Sequence, residues 1–120
     1  MKNENRKYIL VRTDGTYSVV EILDEEFFSQ VRKLLCGNLI QRFYLFNSEY
    51  MFFKPNANPG VEKINFYATH LNQVLHKGNS ILGDTLIGRC YGVEVTGLTS
   101  DSINKYIGLL EKNGYENKCT

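Results

Sequence analysis

An Asp-Gly pair between two short runs of β-forming residues constrains this fold more than any other feature of the sequence. The runs are residues 7–13 and 16–22, and Asp14 and Gly15 lie between them. Asp-Gly is typical of a tight hairpin turn because both central residues must adopt positive φ. The sequence therefore predicts that an antiparallel β-hairpin opens the domain.

Strand-like and helix-like segments then follow one another along the chain. Further strands are predicted at residues 39–46, 50–54, 85–87 and 91–95. Apolar residues at helical spacing predict three helices. Their expected caps are Asp24 for the first helix, Asn65 for the second, and Thr99, Ser100 or Asp101 for the third. Their expected ends are Gly37, Gly78 and Gly114.

This order, β-β-α-β-β-α-β-β-α, predicts an α+β fold. We expect a mainly antiparallel sheet of about five to six strands, with about three helices packed on one face. The length of 120 residues suits a single domain. Its expected extent is residues 7–114, with flexible termini at 1–6 and 115–120.

Composition excludes several classes of protein. The net charge of +1 is spread along the chain, which argues against nucleic acid as a partner. The apolar runs are too short to cross a membrane, and the polar start lacks the apolar core of a signal peptide. We therefore expect a cytoplasmic protein that binds no membrane.

The cysteines and histidines predict no metal or cofactor site. Cys36, Cys90 and Cys119 share no short spacing, so they fit neither a disulfide framework nor a metal motif. Cys36 and Cys90 have apolar neighbours and are expected in the core, whereas Cys119 is expected to be exposed. His70 and His76 fall on different faces of one predicted helix.

Spacings typical of an active site are missing as well. Neither a G-x-S-x-G sequence nor a phosphate-loop pattern occurs. The acidic run of Asp24, Glu25 and Glu26 is typical of a helix start. We expect no enzyme, and a site assembled from residues distant in the sequence is the alternative.

Four local patterns carry a resemblance to a known family. They are the opening ILVRTDGTYSVVEI, the Asn-x-x-Ala-Thr segment that begins at Asn65, GDTLIG at 83–88, and Gly-Leu-Thr at 97–99. Together they resemble the uncharacterised bacterial and phage proteins known as the domain of unknown function 3846 family. The resemblance implies a small α+β protein of bacteria, phages or mobile elements, and brings no activity with it.

Aromatic residues are concentrated on the second predicted hairpin, at 43–46 and 50–53. Adjacent strand residues point to opposite faces, so these rings cannot all enter one core. Either both faces of the sheet are covered, or an aromatic surface is left for a partner chain or a planar ligand.

Arginine and tyrosine side chains together can stack on a nucleobase and bind its phosphate. We predict a ligand site at one end of the sheet from these residues: Arg42, Lys54, Asn65, Tyr67, Thr69, Asp84, Arg89 and Tyr91. The function that follows is a non-enzymatic binding protein of a phage, mobile element or bacterium. In its most specific form it is an anti-defence protein that sequesters a nucleotide-type signal.

A second hypothesis needs no small molecule. The aromatic hairpin would dock on another chain, either a second copy in a homo-oligomer or a host protein, and the protein would act as an interaction or inhibitor module.

Overall fold

The structure is a computed structural model and describes residues 5–118. In that range the strands are β1 (Asn5–Val11), β2 (Thr16–Leu23), β3 (Gln41–Tyr44), β4 (Glu49–Phe53), β5 (Thr85–Tyr91), β6 (Glu94–Val95) and β7 (Glu116–Asn117). The helices are α1 (Phe27–Leu35), α2 (Phe66–His76) and α3 (Ser100–Lys112), and a 3-10 turn precedes α1. The predicted α+β class and element order are confirmed, with β7 added after α3.

The strands form one mainly antiparallel sheet in the order β3-β4-β5-β1-β2-β7. β6 pairs with the end of β5, and β7 runs parallel to β2. The two strands expected at 85–87 and 91–95 are present with other bounds, because β5 is continuous from Thr85 to Tyr91 and β6 is only Glu94–Val95. Gly88 lies inside β5, where a Cβ atom would come within 2.9 Å of the Tyr8 ring. That glycine therefore makes room for a ring instead of ending a strand.

Both faces of the sheet are covered, so the expectation of helices on one face is wrong. Tyr8 and Leu10 of β1 pack on the α1 side, whereas Ile9 and Val11 pack on the side of α2 and α3. The central strands are apolar on both faces, and each face requires its own cover. The result is three layers, with α1 on one side of the sheet and α2 and α3 on the other.

The aromatic hairpin divides its rings between these two layers. Phe43 packs on the α2 and α3 side, and Phe52 and Tyr50 pack on the α1 side. Tyr44 and Phe46 keep about half of their surface exposed. Each alternative from the sequence therefore holds in part: most of the rings are covered by helices, and two remain accessible on the surface.

The first hairpin turn lacks the two positive φ values that its Asp-Gly pair predicts. In the first hairpin only Gly15 has positive φ, and the Arg12 N–H donates to the Thr16 carbonyl at 2.9 Å across a three-residue loop. This is the pattern of a turn closed by a left-handed glycine. The pair of positive φ values occurs in the second hairpin, at Asn47 (58°) and Ser48 (64°).

The predicted caps of α2 and α3 are confirmed, and Thr99 is the one of the three α3 candidates that caps the helix. The side chains of Asn65 and Thr99 accept the N–H groups of Ala68 and Ser102 at 3.1 Å. Asp24 does not cap α1, because its carboxylate instead accepts a hydrogen bond from Arg6 Nε at 2.8 Å.

Two helices end one residue earlier than expected. Cys36 and Lys77 themselves adopt the left-handed conformation, with φ of 56° and 52°. Gly37 and Gly78 follow them and return their N–H groups to carbonyls of the helix. Cys36 is consequently exposed, contrary to prediction, whereas Cys90 is buried as predicted.

Helical spacing places Leu71, Val74 and Leu75 on one apolar face that is expected in the core, and the tail from residue 115 is expected to be flexible. Both expectations need correction. Val74 and Leu75 of α2 are exposed, since the short helix turns only its first residues into the core. Tyr115 packs its ring against Tyr67, and β7 follows it onto β2. Cys119 lies outside the described residues. Between residues 5 and 118, no helix is both long and apolar enough to span a membrane.

Candidate functional site

The eight residues predicted to form one ligand site lie in two separate groups. Asn65, Thr69 and Asp84 surround the start of β5, whereas Arg89 and Tyr91 lie at its end. Seven residues of extended chain separate the two ends of β5 by about 20 Å. The convergence expected from the sequence is therefore not observed.

Asn65 is a structural residue. Its side chain is fully buried, and its Nδ2 donates to the carbonyls of Val11 and Gly83 at 3.0 Å. With Oδ1 occupied by the cap of α2, this amide joins β1, β5 and α2. No polar atom of Asn65 is left for a ligand.

The neighbours of Asn65 are engaged in the same way. Thr69 Oγ1 accepts the Ile81 N–H at 2.8 Å, and the Asp84 carboxylate accepts the Thr13 N–H at 3.0 Å. The Asn-x-x-Ala-Thr and GDTLIG patterns therefore fix the junction of α2, β1 and β5.

The other two residues of this group are also held by protein contacts. Lys54 Nζ forms an ion pair with Glu62 and donates to the Cys36 carbonyl at 3.4 Å. Tyr67 packs edge-on against Tyr115. Burial, with a smaller contribution from Tyr115, raises the pKa of Tyr67 to about 12.

At the far end of β5, the sheet separates the predicted cations. Arg42 pairs with Phe52 and Arg89 pairs with Glu49, which places the two arginines on opposite faces. On the α1 side, the Arg42 guanidinium lies 4.5 Å from the Tyr50 ring centroid. On the other side, Arg89 lies 5.4 Å from the ring centroid of Tyr91.

Arg42 also makes two contacts that position it. Its Nη2 donates to the Gly92 carbonyl in the β5–β6 turn at 3.1 Å. It lies beside the Cys90 thiol, whose pKa is raised by burial and lowered less strongly by this guanidinium. Arg42 therefore joins β3 to the β5–β6 turn and remains exposed itself.

A buried carboxylate that the sequence did not predict lies on the opposite face. Glu49 has no exposed surface, and its oxygens accept hydrogen bonds from Tyr106 Oη at 2.7 Å, Lys105 Nζ at 3.2 Å and the Ser102 hydroxyl. All three donors belong to α3. Glu49 is enclosed by these donors and therefore anchors α3 to β4, where a substrate cannot reach it.

A groove of about 1000 Å³ lies between α1 and the β5–β6 turn. An adjoining hollow of about 270 Å³ shares Phe28 and Val93 with it and extends to the start of β3. We call the two together the α1–turn groove. Its apolar lining consists of Phe27, Phe28, Ile40, Phe52, Val93 and Val95.

The charges around the α1–turn groove balance. Three cations and three carboxylates line it: Arg6, Arg32, Arg42, Asp24, Glu25 and Glu94. Of the predicted ligand residues, only Arg42 is part of this lining. The sequence did not predict the groove, because Phe28 and Val93 are far apart in the sequence. They come to line one groove only when the sheet has formed.

The chain matches no family model, no curated protein and no solved structure in the comparisons made with each.

Proposed function

We propose that this protein is an interaction module that binds a segment of another protein in the α1–turn groove. The observation that supports it is the exposure of two apolar side chains that line this groove: Val93 is 94% exposed and Phe28 is 49% exposed. Apolar groups placed around one open concavity are typical of sites that bind another molecule. Burying both side chains under a partner would supply the main driving force for binding.

The balance of charge favours a protein segment over a nucleotide. A phosphate-bearing ligand needs uncompensated cations, and the carboxylates of this groove offset its arginines. The separation of Arg42 from Arg89 by the sheet further weakens the nucleotide hypothesis. A host protein as partner, a phage or mobile-element setting and a cytoplasmic site of action belong to this proposal as predictions.

The test is a selection of peptides from a random displayed library against the immobilised full chain. Affinities of enriched peptides are then measured in solution by fluorescence polarisation. We expect Phe28→Asp and Val93→Asp each to weaken binding about tenfold or more, because binding would then desolvate a charge. The matched control is Val61→Asp, since Val61 is 76% exposed and lies outside the groove.

Two outcomes would overturn the proposal. One is that no peptide is enriched, or that all three Asp variants bind equally well. The other is that native mass spectrometry with a mixture of adenine nucleotides finds one retained by the wild-type chain and lost from Arg42→Ala. That second result would restore the nucleotide-sequestering hypothesis.

A further inference from the structure

β3 is the last strand at one end of the sheet, and its outer side carries unpaired backbone groups. The Leu45 N–H donates to the Glu49 carbonyl at 2.8 Å, which sets the phase of the β3–β4 ladder. Backbone groups in an antiparallel pair alternate between the two sides of a strand. Gln41 and Phe43 therefore face β4, whereas Arg42 and Tyr44 turn their N–H and C=O groups outward.

One of these outward groups is already occupied. His76 Nε2 lies 2.7 Å from the Tyr44 carbonyl oxygen, which can only accept, so the imidazole donates. The N–H and C=O groups of Arg42 and the N–H of Tyr44 are left along the described part of this edge. Arg42 offers the donor and acceptor pair with which an antiparallel strand exchanges two hydrogen bonds.

We propose that the partner segment binds as an added antiparallel strand on β3, with one of its residues exchanging both backbone hydrogen bonds with Arg42. This rests on the proposed function, because the hollow lined by Ile40, Arg42 and Val93 is the end of the α1–turn groove that reaches β3. Strand addition is a common mode of peptide recognition in which the backbone supplies affinity and alternate side chains supply specificity.

The side chains of β3 determine which segment fits. Residues opposite each other in an antiparallel pair share a face, so the central partner side chain lies beside the Arg42 guanidinium. Arg42 is the one charged residue of β3, and a carboxylate is its complement. The partner residues two positions before and after this central residue lie opposite Ile40 and Tyr44. Both of these β3-side neighbours favour apolar side chains in the partner.

The preferred segment therefore has an acidic residue with apolar residues two positions before and after it. A second copy of β3 does not fit this pattern, because the sequence Gln-Arg-Phe-Tyr contains no acidic residue. The occupant is accordingly an acidic, β-forming segment of a different protein.

The test uses the fluorescein-labelled peptide TVTETVT and three relatives. In the first relative lysine replaces the glutamate, in the second the glutamate nitrogen is methylated, and in the third the nitrogen of the next threonine is methylated. Of these two methylated N–H groups, only that of the glutamate points towards β3 in the proposed register. We expect the first two changes to weaken binding about tenfold, and the third to change it less than about twofold.

Protein variants and amide exchange complete the experiment. Arg42→Glu should reverse the preference between the glutamate and lysine peptides, and its fold is checked by circular dichroism. In the wild-type chain, bound peptide should slow amide hydrogen exchange at Arg42 and Tyr44 but not at Phe43, which already faces β4.

Absence of saturable binding by TVTETVT, or equal effects of the two methylations, would overturn strand addition. If library peptides still depend on Phe28 and Val93 in that case, the interaction module survives and only its mode of binding is wrong. A doubling of molecular mass with no peptide bound would instead indicate a second copy on this edge and would also refute the inference.

Discussion

At the scale of single residues, the least expected feature is a carboxylate with no access to water. Burial of a charge is costly unless hydrogen bonds and an opposite charge compensate for it. Glu49 has both, from the hydroxyls of Ser102 and Tyr106 and the ammonium of Lys105. Its role is to hold α3 in one position on the sheet.

Glu49→Ala should lower the free energy of unfolding by about 3–5 kcal/mol, because it leaves buried hydroxyl donors unsatisfied and opens a cavity. Urea denaturation followed by circular dichroism measures the change. The control is Glu21→Ala on β2, whose exposed side chain should contribute less than about 0.5 kcal/mol. Equal losses for the two variants would show that the cluster does not anchor α3.

Residues differ in how far the sequence predicts their roles. Asn65 was identified as a cap, and Thr99 as one of three candidate caps, because a cap bonds an N–H only three positions away. Glu49 lies between the strands predicted at 39–46 and 50–54 and was not recognised, since its donors lie more than fifty positions along the chain and leave no local pattern. The expected convergence of the eight predicted ligand residues is not observed for the same reason, because convergence depends on strand order.

At the scale of elements, the non-glycine residues with strained, positive φ angles lie at the ends of helices and in a hairpin turn. Lys77 ends α2 with φ of 52°, where a side chain costs about 1–2 kcal/mol relative to the right-handed region. Glycine, which the sequence places one residue later, would suit that position better. Sequence reasoning correctly predicted that a helix ends here, but not which residue takes the left-handed conformation.

Lys77→Gly should raise the free energy of unfolding by roughly 1 kcal/mol, because it relieves this strain at an exposed position. Lys77→Ala is the matched control, since alanine removes the same side chain but keeps its Cβ. Thermal unfolding compares the three proteins. If alanine stabilises as much as glycine, loss of the lysine charge and not backbone strain explains the gain.

At the scale of the whole molecule, tyrosines line both core layers and link stability to alkaline pH. Burial is the main cause that raises the pKa values of Tyr8 and Tyr106, and it raises those of Tyr17 and Tyr67 to about 12. An unfolded tyrosine ionises near pH 10, so above that pH the unfolded chain loses protons that the folded chain retains. Stability from these groups is complete below pH 10 and falls as pH rises towards 12.

Tyr67→Phe should match the wild-type stability at pH 7 but lose about 2 kcal/mol less between pH 10 and 12. Urea denaturation at a series of pH values measures this difference, and ultraviolet absorbance reports tyrosinate formation. A folded protein whose tyrosines all ionise with an ordinary midpoint would contradict the burial described here.

The two-sided sheet was the main error of prediction at this scale. Hairpins at 7–22 and 39–54 were recognised from their own residues. The pairing of β5 between β4 and β1, which gives the sheet two covered faces, depends on contacts among distant segments.

β7 has a consequence for how copies of this chain meet. It covers the start of β2 with only two residues, and Glu116 adds a negative charge there. Short, charged edge strands discourage further strands from joining. Addition of a strand from another copy is therefore open along β3 and hindered at Thr16 and Tyr17 of β2, where β7 lies. The start of β2 is thereby shielded from edge-to-edge association, whereas the edge at β3 stays open for recognition.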